Sequence, residues 1–422
     1  MHTTPFLSAK RPTATPSYNP TVRRTFRRIS RPSDAGGISQ PGHGAPWQAF
    51  VLLGAVLFAL MAGGVSANEW RNKFGDQWPR TDFEHTTVDV SEIISGGPPK
   101  DGIPAIDRPR LETTEEAAAW LHPREPVIAL DIEGQARAYP LQILIWHEIV
   151  NDTLAGTPVS VTFCPLCNAA IVFDRRLAGR VLDFGTTGKL RLSDLVMYDR
   201  QTESWWQQFS GTAIAGDYAG RELERIAAPI VAFEDFRDAH PGGDVLSRQT
   251  GHRRDYGQNP YRGYDRIGDQ PFLLRQPADP RLPAMERVLG VQAGSETKVY
   301  PLSRLAAAAP LADEVGDTPI AVFAKAGTLS ALDAGEIRAS RRVPAAAAYD
   351  RRLKERTLSF ERRGDAVMDR ETGSEWNILG HAVAGPLKGQ RLTQVDAGVH
   401  FAFAWLVFNP ESEVVEPPAN TP

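Results

Sequence analysis

From about residue 111 the chain runs in short blocks of alternating apolar and polar positions, the pattern of half-buried strands. Val127–Leu130 and Gln135–Tyr139 flank Glu133-Gly134, which predicts a β-hairpin. Pro140 then opens a helix, with Leu141, Ile145 and Ile149 four apart on one face. Thr157-Pro158 breaks that periodicity, and the β-branched run Val159–Phe163 reads as a strand. Ile171–Asp174 and Val181–Phe184 flank Ala178-Gly179, a second hairpin. His400-Phe401-Ala402-Phe403-Ala404-Trp405 reads as a closing aromatic strand. The expected fold class is α+β, mainly β.

The same pattern returns later in the chain. Tyr139-Pro140-Leu141 matches Tyr300-Pro301-Leu302, and the same offset of 161 residues carries Asp152 to Asp313 and Thr157-Pro158 to Thr318-Pro319. Phe173-Asp174-Arg175-Arg176-Leu177 finds Tyr349-Asp350-Arg351-Arg352-Leu353, and Ser204 and Trp206 find Ser374 and Trp376. Separate blocks in one shared order point to two related units from an internal duplication. The first unit spans 111–247 and the second, degenerate one 288–412. Residues 248–287, rich in Arg, Tyr, Gly and Pro, read as a long ordered connection that wraps the first unit.

The differences between the two units point to chemistry. Trp146, His147 and Glu148 fall on Ala307, Ala308 and Ala309, and Cys164 and Cys167 fall on Lys325 and Thr328. The first unit also carries an extra segment, Gly185 to Asp194. Joint absence of these groups from the second unit is what one disused site would give. His147, Glu148, Cys164, Cys167 and Asp194 are therefore expected to meet.

Cys164-Pro165-Leu166-Cys167 holds the only two cysteines of the chain. Three chemistries fit. As a redox pair, Cys164 attacks and Cys167 resolves, with His147 as acid/base or thiolate stabiliser and Asp194 or Glu148 orienting it. As a metal site, both thiolates and His147 are ligands, suited to copper or zinc. As a structural bridge, the loop of about 4 residues gives roughly 2 kcal/mol of chain-entropy stabilisation, a weak staple. No thioredoxin-like βαβ pattern surrounds the motif, and Asn168-Ala169-Ala170 leaves room for one helical turn before the next strand. Positive charge near a thiolate would have to come from His147 or Lys189.

Composition sets the compartment. Hydrophobic residues at 42% and charged residues at 23% suit a core-forming protein. The net charge of -4 hides a basic leader, residues 1–45, in which seven Lys and Arg face Asp34 alone. The acidic remainder excludes nucleic acid as an expected partner. Residues 46–67 carry no charge and end in Val65-Ser66-Ala67, the pattern of a signal peptide or membrane anchor. The expectation is a disordered leader at 1–45, an export signal at 46–67 and a polar lead-in at 68–110. A tail at 413–422 ends the chain. The protein is expected to be periplasmic or otherwise extracytoplasmic, touching membrane only through residues 46–67 if they are uncleaved. Its partner would be a redox protein or a metal donor.

These motifs carry a family resemblance. Trp146-His147-Glu148-Ile149-Val150-Asn151-Asp152, Thr162-Phe163-Cys164-Pro165-Leu166-Cys167, Ser193-Asp194-Leu195-Val196-Met197-Tyr198-Asp199-Arg200 and Arg254-Asp255-Tyr256-Gly257 resemble the DUF3179 family, a domain of unknown function in exported proteins. The resemblance covers about residues 111–412. Relatives with selenocysteine in place of a motif cysteine would imply redox or soft-metal chemistry rather than a plain staple. Relatives often have Gly where this chain has Asn168. The family implies no substrate.

Overall fold

Two hairpin–helix pieces frame the fold. The computed structural model describes residues 67–416, and over them strands far outnumber helices. In the first piece, Pro126–Ile132 pairs antiparallel with Gln135–Pro140 and leads into helix Leu141–His147. In the second, Arg287–Ala293 pairs with Glu296–Pro301 and leads into helix Leu302–Ala308. The registers correspond: Val127 faces Pro140, and Val288 faces Pro301. In both pieces the proline sits extended just before the first helical residue, at the φ its ring imposes.

Finer contacts repeat as well. Tyr139 donates to Asp152 at 2.8 Å, and Tyr300 donates to Asp313 at 2.8 Å. Asp199 accepts from Thr202 N, Thr202 Oγ1 and Trp206 Nε1; Asp369 accepts from Thr372 N, Thr372 Oγ1 and Trp376 Nε1. Asp174 holds Arg176 as Asp350 holds Arg352, while Arg175 turns instead to Asp183.

The halves diverge at the cysteine motif. In the first half, Thr157–Cys164 turns back at once into Ala169–Asp174, with Ile149–Leu154 and Arg225–Ile226 completing a four-stranded sheet. In the second, Thr318–Leu329 runs straight on as one 12-residue strand, with only a register shift between Lys325 and Thr328. A second sheet of the first half orders Ile93–Ser95, Phe184–Arg191, Asp194–Asp199, Trp205–Gln207 and Ala213–Ala215. Its hairpin tip meets the cysteine hairpin.

Two sequence expectations are corrected. The helix does not reach Ile149. Glu148 takes a left-handed conformation (φ 59) that ends it, and Ile149–Leu154 is a strand. The aromatic run is a strand only through Phe401; Ala402–Phe408 is a helix whose Phe403 and Trp405 are buried. Gly290 permits this packing, because a Cβ there would stand 2.1 Å from the Trp405 ring.

The lead-in is part of the packed body. Residues 67–74 are helical, and Trp70, Phe74, Trp78 and Phe83 surround Trp205 in a cluster of their own. Between Leu246 and Arg287 no helix or strand forms. This connection touches both halves: Tyr264 reaches Leu166 in the first, and Asp265, fully buried, binds Arg287 and Arg341 in the second. Among the described residues no helix is long and apolar enough to cross a membrane. The leader at 1–45, residues 46–66 of the expected signal and residues 417–422 of the tail lie outside the described residues.

Candidate functional site

The cysteine motif is the tip of a tight hairpin. Cys164 pairs with Ala169 as the last rung, leaving Pro165 to Asn168 as the loop. Cys167 N donates to Cys164 O at 3.2 Å, and Asn168 N donates to Pro165 O at 3.3 Å. Proline suits the second position of such a turn, where no N–H is needed. Asn168 closes the loop at φ 49, a conformation asparagine tolerates better than most residues. Its amide is anchored to Val399 O at 3.2 Å, and Phe401 N binds Cys167 O at 2.9 Å. The second half therefore clamps the knuckle through the strand Asp396–Phe401. Strand follows the motif at once, so the single helical turn allowed by the sequence does not form.

A second hairpin delivers a carboxylate to the same point. Phe184–Arg191 turns into Asp194–Asp199 through Leu192 and Ser193, both at positive φ (55 and 67). Two such residues make a mirror-image turn that usually recruits glycine or asparagine, so this tip holds non-glycine residues in a costly conformation. Cys167 Sγ donates to Ser193 O at 3.6 Å. Asp194 is fully buried. Its Oδ2 accepts from Gln207 Nε2 at 2.6 Å and Phe209 N at 2.9 Å, and its Oδ1 has no partner. One ligand atom each from Cys164, Cys167 and Asp194 lies within 4.8 Å of the other two.

Glu148 ends the helix beside the cysteine strand, its carbonyl accepting from Phe163 N at 2.8 Å. Its side chain is buried and makes no hydrogen bond among the described residues. Burial, then the Asp194 charge, pushes its carboxyl up to about 8. Burial lifts Asp194 to about 6 despite its hydrogen bonds. Burial also raises both thiols, Cys167 the more strongly, and the nearby carboxylates act in the same direction. Neither cysteine is disulfide-bonded. All four acids are thus buried, and the charges acting most strongly on the thiols are negative.

His147 faces elsewhere. A carbonyl only accepts, so Nδ1 carries the proton and donates to Pro104 O at 2.7 Å. Burial holds the ring neutral, down to about 4, so Nε2 accepts from the Tyr256 hydroxyl at 2.7 Å. The left-handed Glu148 that ends the helix sends the two neighbouring side chains in different directions. The structure brings Cys164, Cys167 and Asp194 together, leaves Glu148 outside that set at the adjoining helix end, and gives both His147 nitrogens other partners. Lys189 lies with its ammonium 5.9 Å from the Phe74 ring.

The connection covers the site. Tyr264 donates to Leu166 O at 3.0 Å, and Ser193 Oγ donates to Phe272 O. The Tyr261 hydroxyl is pushed up by burial and by the charges of Glu148 and Cys164. Tyr261 and Tyr264 were not singled out by the sequence, although the density of Tyr and Gly in that stretch was the available signal. A family model described as a protein of unknown function, DUF3179, matches residues 100–412. No curated protein and no solved structure matches the chain.

Proposed function

The chain belongs to the DUF3179 family, and from that premise we propose that it binds a thiophilic transition metal, zinc or copper, at Cys164, Cys167 and Asp194, with Glu148 beside them. The observation that carries this reading is the buried cluster itself: two free thiols and the Asp194 carboxylate, one oxygen of which has no hydrogen-bond partner among the described residues. Ionised acids buried without a counter-charge are costly, so Glu148 and both thiols stay mainly protonated near neutral pH until a cation enters, while Asp194 is already the readier anion. Two thiolates and one or two carboxylate oxygens suit zinc, and a tight knuckle presents two sulfurs to one ion with little rearrangement.

The redox reading expected from the sequence finds less support. A reactive thiolate needs a depressed pKa from a helix N-terminus or a nearby cation. Here a strand follows the motif, the neighbouring charges are carboxylates, and His147 is engaged with Pro104 and Tyr256. The free state of both cysteines is the feature that keeps a dithiol role in view.

The second half serves as a thiol-less relative of the first that clamps the site through Val399 and Phe401. The matched registers and the paired Asp199 and Asp369 turns support that reading. Export remains part of the proposal, supported by the uncharged residues 46–67 after a basic leader, with a metal donor as the partner. Metal analysis of purified, reduced full-length protein tests the function. Metal held by wild type and reduced by one equivalent in a Cys164→Ser/Cys167→Ser variant agrees with it; equal metal content in both contradicts it.

A further inference from the structure

A second cluster lies far from the thiols in sequence and is independent of them. Asp131 comes from the end of strand Pro126–Ile132, His240 caps helix Phe233–Ala239, and His381 sits in the second half, bridged to Arg391. One ligand atom of each lies within 4.8 Å of the other two. The two imidazoles meet edge to face with centroids 5.0 Å apart, and neither ring makes a hydrogen bond among the described residues. Two histidines with unused nitrogens, aimed at each other and at a carboxylate, are an unusual arrangement for packing alone. Isolated histidines normally satisfy at least one ring nitrogen.

The cluster opens onto a cavity of about 200 Å³ between the two halves. Gln394 lines that cavity, and its buried Nε2 has no partner. We propose that Asp131, His240 and His381 form a second, open metal site for a divalent first-row transition ion, joining the two halves and facing this cavity. Two imidazoles and one carboxylate leave coordination positions for water or a ligand, unlike a closed four-ligand structural site. Gln394 is placed to donate to an oxygen bound there. The donor set is harder than that of the thiol site, so the two differ in metal preference.

Arg391 bears on the affinity. Its guanidinium pairs with Asp131 Oδ2, the oxygen that also lies 3.7 Å from His240 Nδ1. Arg391 is 45% exposed, so it can turn to solvent when an ion takes its place. It therefore competes with the metal and keeps Asp131 neutralised in its absence.

Zinc binding to the full chain tests the site in a Cys164→Ser/Cys167→Ser background, which separates it from the thiol proposal. One zinc per chain is expected to remain there and to be lost on adding His381→Asn or His240→Asn. A thiol-free protein that binds no zinc, or that keeps its zinc after either histidine is replaced, overturns the proposal. Should the histidine variants fail to fold, Arg391→Gln in the same background decides. Zinc binding severalfold tighter is expected, and unchanged or weaker binding overturns it.

Discussion

The 2.7 Å hydrogen bond between His147 Nε2 and Tyr256 Oη ties the helix that ends beside the thiols to the connection that covers them. It uses the last free nitrogen of the imidazole, because Nδ1 is already committed to Pro104 O. His147 thereby positions the cover, while Glu148, the next residue, ends the helix beside the cysteine strand. Replacing Tyr256 with Phe should cost about 2 kcal/mol, because the hydroxyl bonds Thr250 Oγ1 as well as His147 and each bond is worth about 1 kcal/mol. The loosening should appear as faster hydrogen exchange in residues 248–287, with metal content unchanged.

Asn168 sets the shape of the knuckle. A β-branched residue at its φ of 49 is strongly disfavoured, by about 1–2 kcal/mol from the backbone alone. Asn168→Val should therefore lower the urea midpoint clearly. Asn168→Gly relieves the backbone but loses the bond to Val399 O, so its effect should stay within about 1 kcal/mol. Equal effects of the two substitutions would mean that the turn does not control the site.

The stability of the metal-free protein should fall as pH rises. Glu148 and Asp194 have folded-state values raised to about 8 and about 6. Their contribution is complete below the unfolded values near 4, and is lost as pH rises through 6 and then 8. His147 and His400, lowered to about 4 and about 3, act oppositely but only as pH falls below about 6.5. The window from about 7 to 8 thus reports mainly the carboxyls, and the raised thiols extend the same decline above it. Thermal scans should show a declining midpoint across it, and Glu148→Gln should flatten the decline. Zinc should reverse the slope, since ligands bind as anions.

The turns at Asp199 and Asp369 make a matched pair. Each aspartate satisfies a buried indole N–H and a threonine at the same spacing. Alanine at either position strands those donors, so each variant should lose at least about 2 kcal/mol in denaturant unfolding. A large loss at one and none at the other would contradict equal structural roles.

Much of this arrangement was legible in the sequence. Alternation and Glu133-Gly134 marked the first hairpin and Pro140 the helix start; the contrast with Ala307 to Ala309, Lys325 and Thr328 and the extra segment Gly185 to Asp194 pointed to the two cysteines and Asp194, but put His147 and Glu148 with them as well. What was not legible depends on single backbone conformations. Periodicity carried the helix on to Ile149 because nothing in the sequence marks Glu148 as left-handed. The same turn hid that His147 and Glu148 part company. Alternating Ala and aromatic residues from Phe401 to Trp405 imitate a strand, and the space that Gly290 leaves for the Trp405 ring in the helix is a tertiary feature no local pattern marks. Asp131, His240 and His381 are brought together by the meeting of the two halves, which no local pattern encodes.

Cobalt(II) added to the reduced full chain gives the most direct test of the thiol site. A thiolate-to-cobalt charge-transfer band should appear in the near ultraviolet, vanish in Cys164→Ser/Cys167→Ser and weaken in Asp194→Asn. A reduced, folded wild-type protein that shows no such band would contradict metal binding at the knuckle.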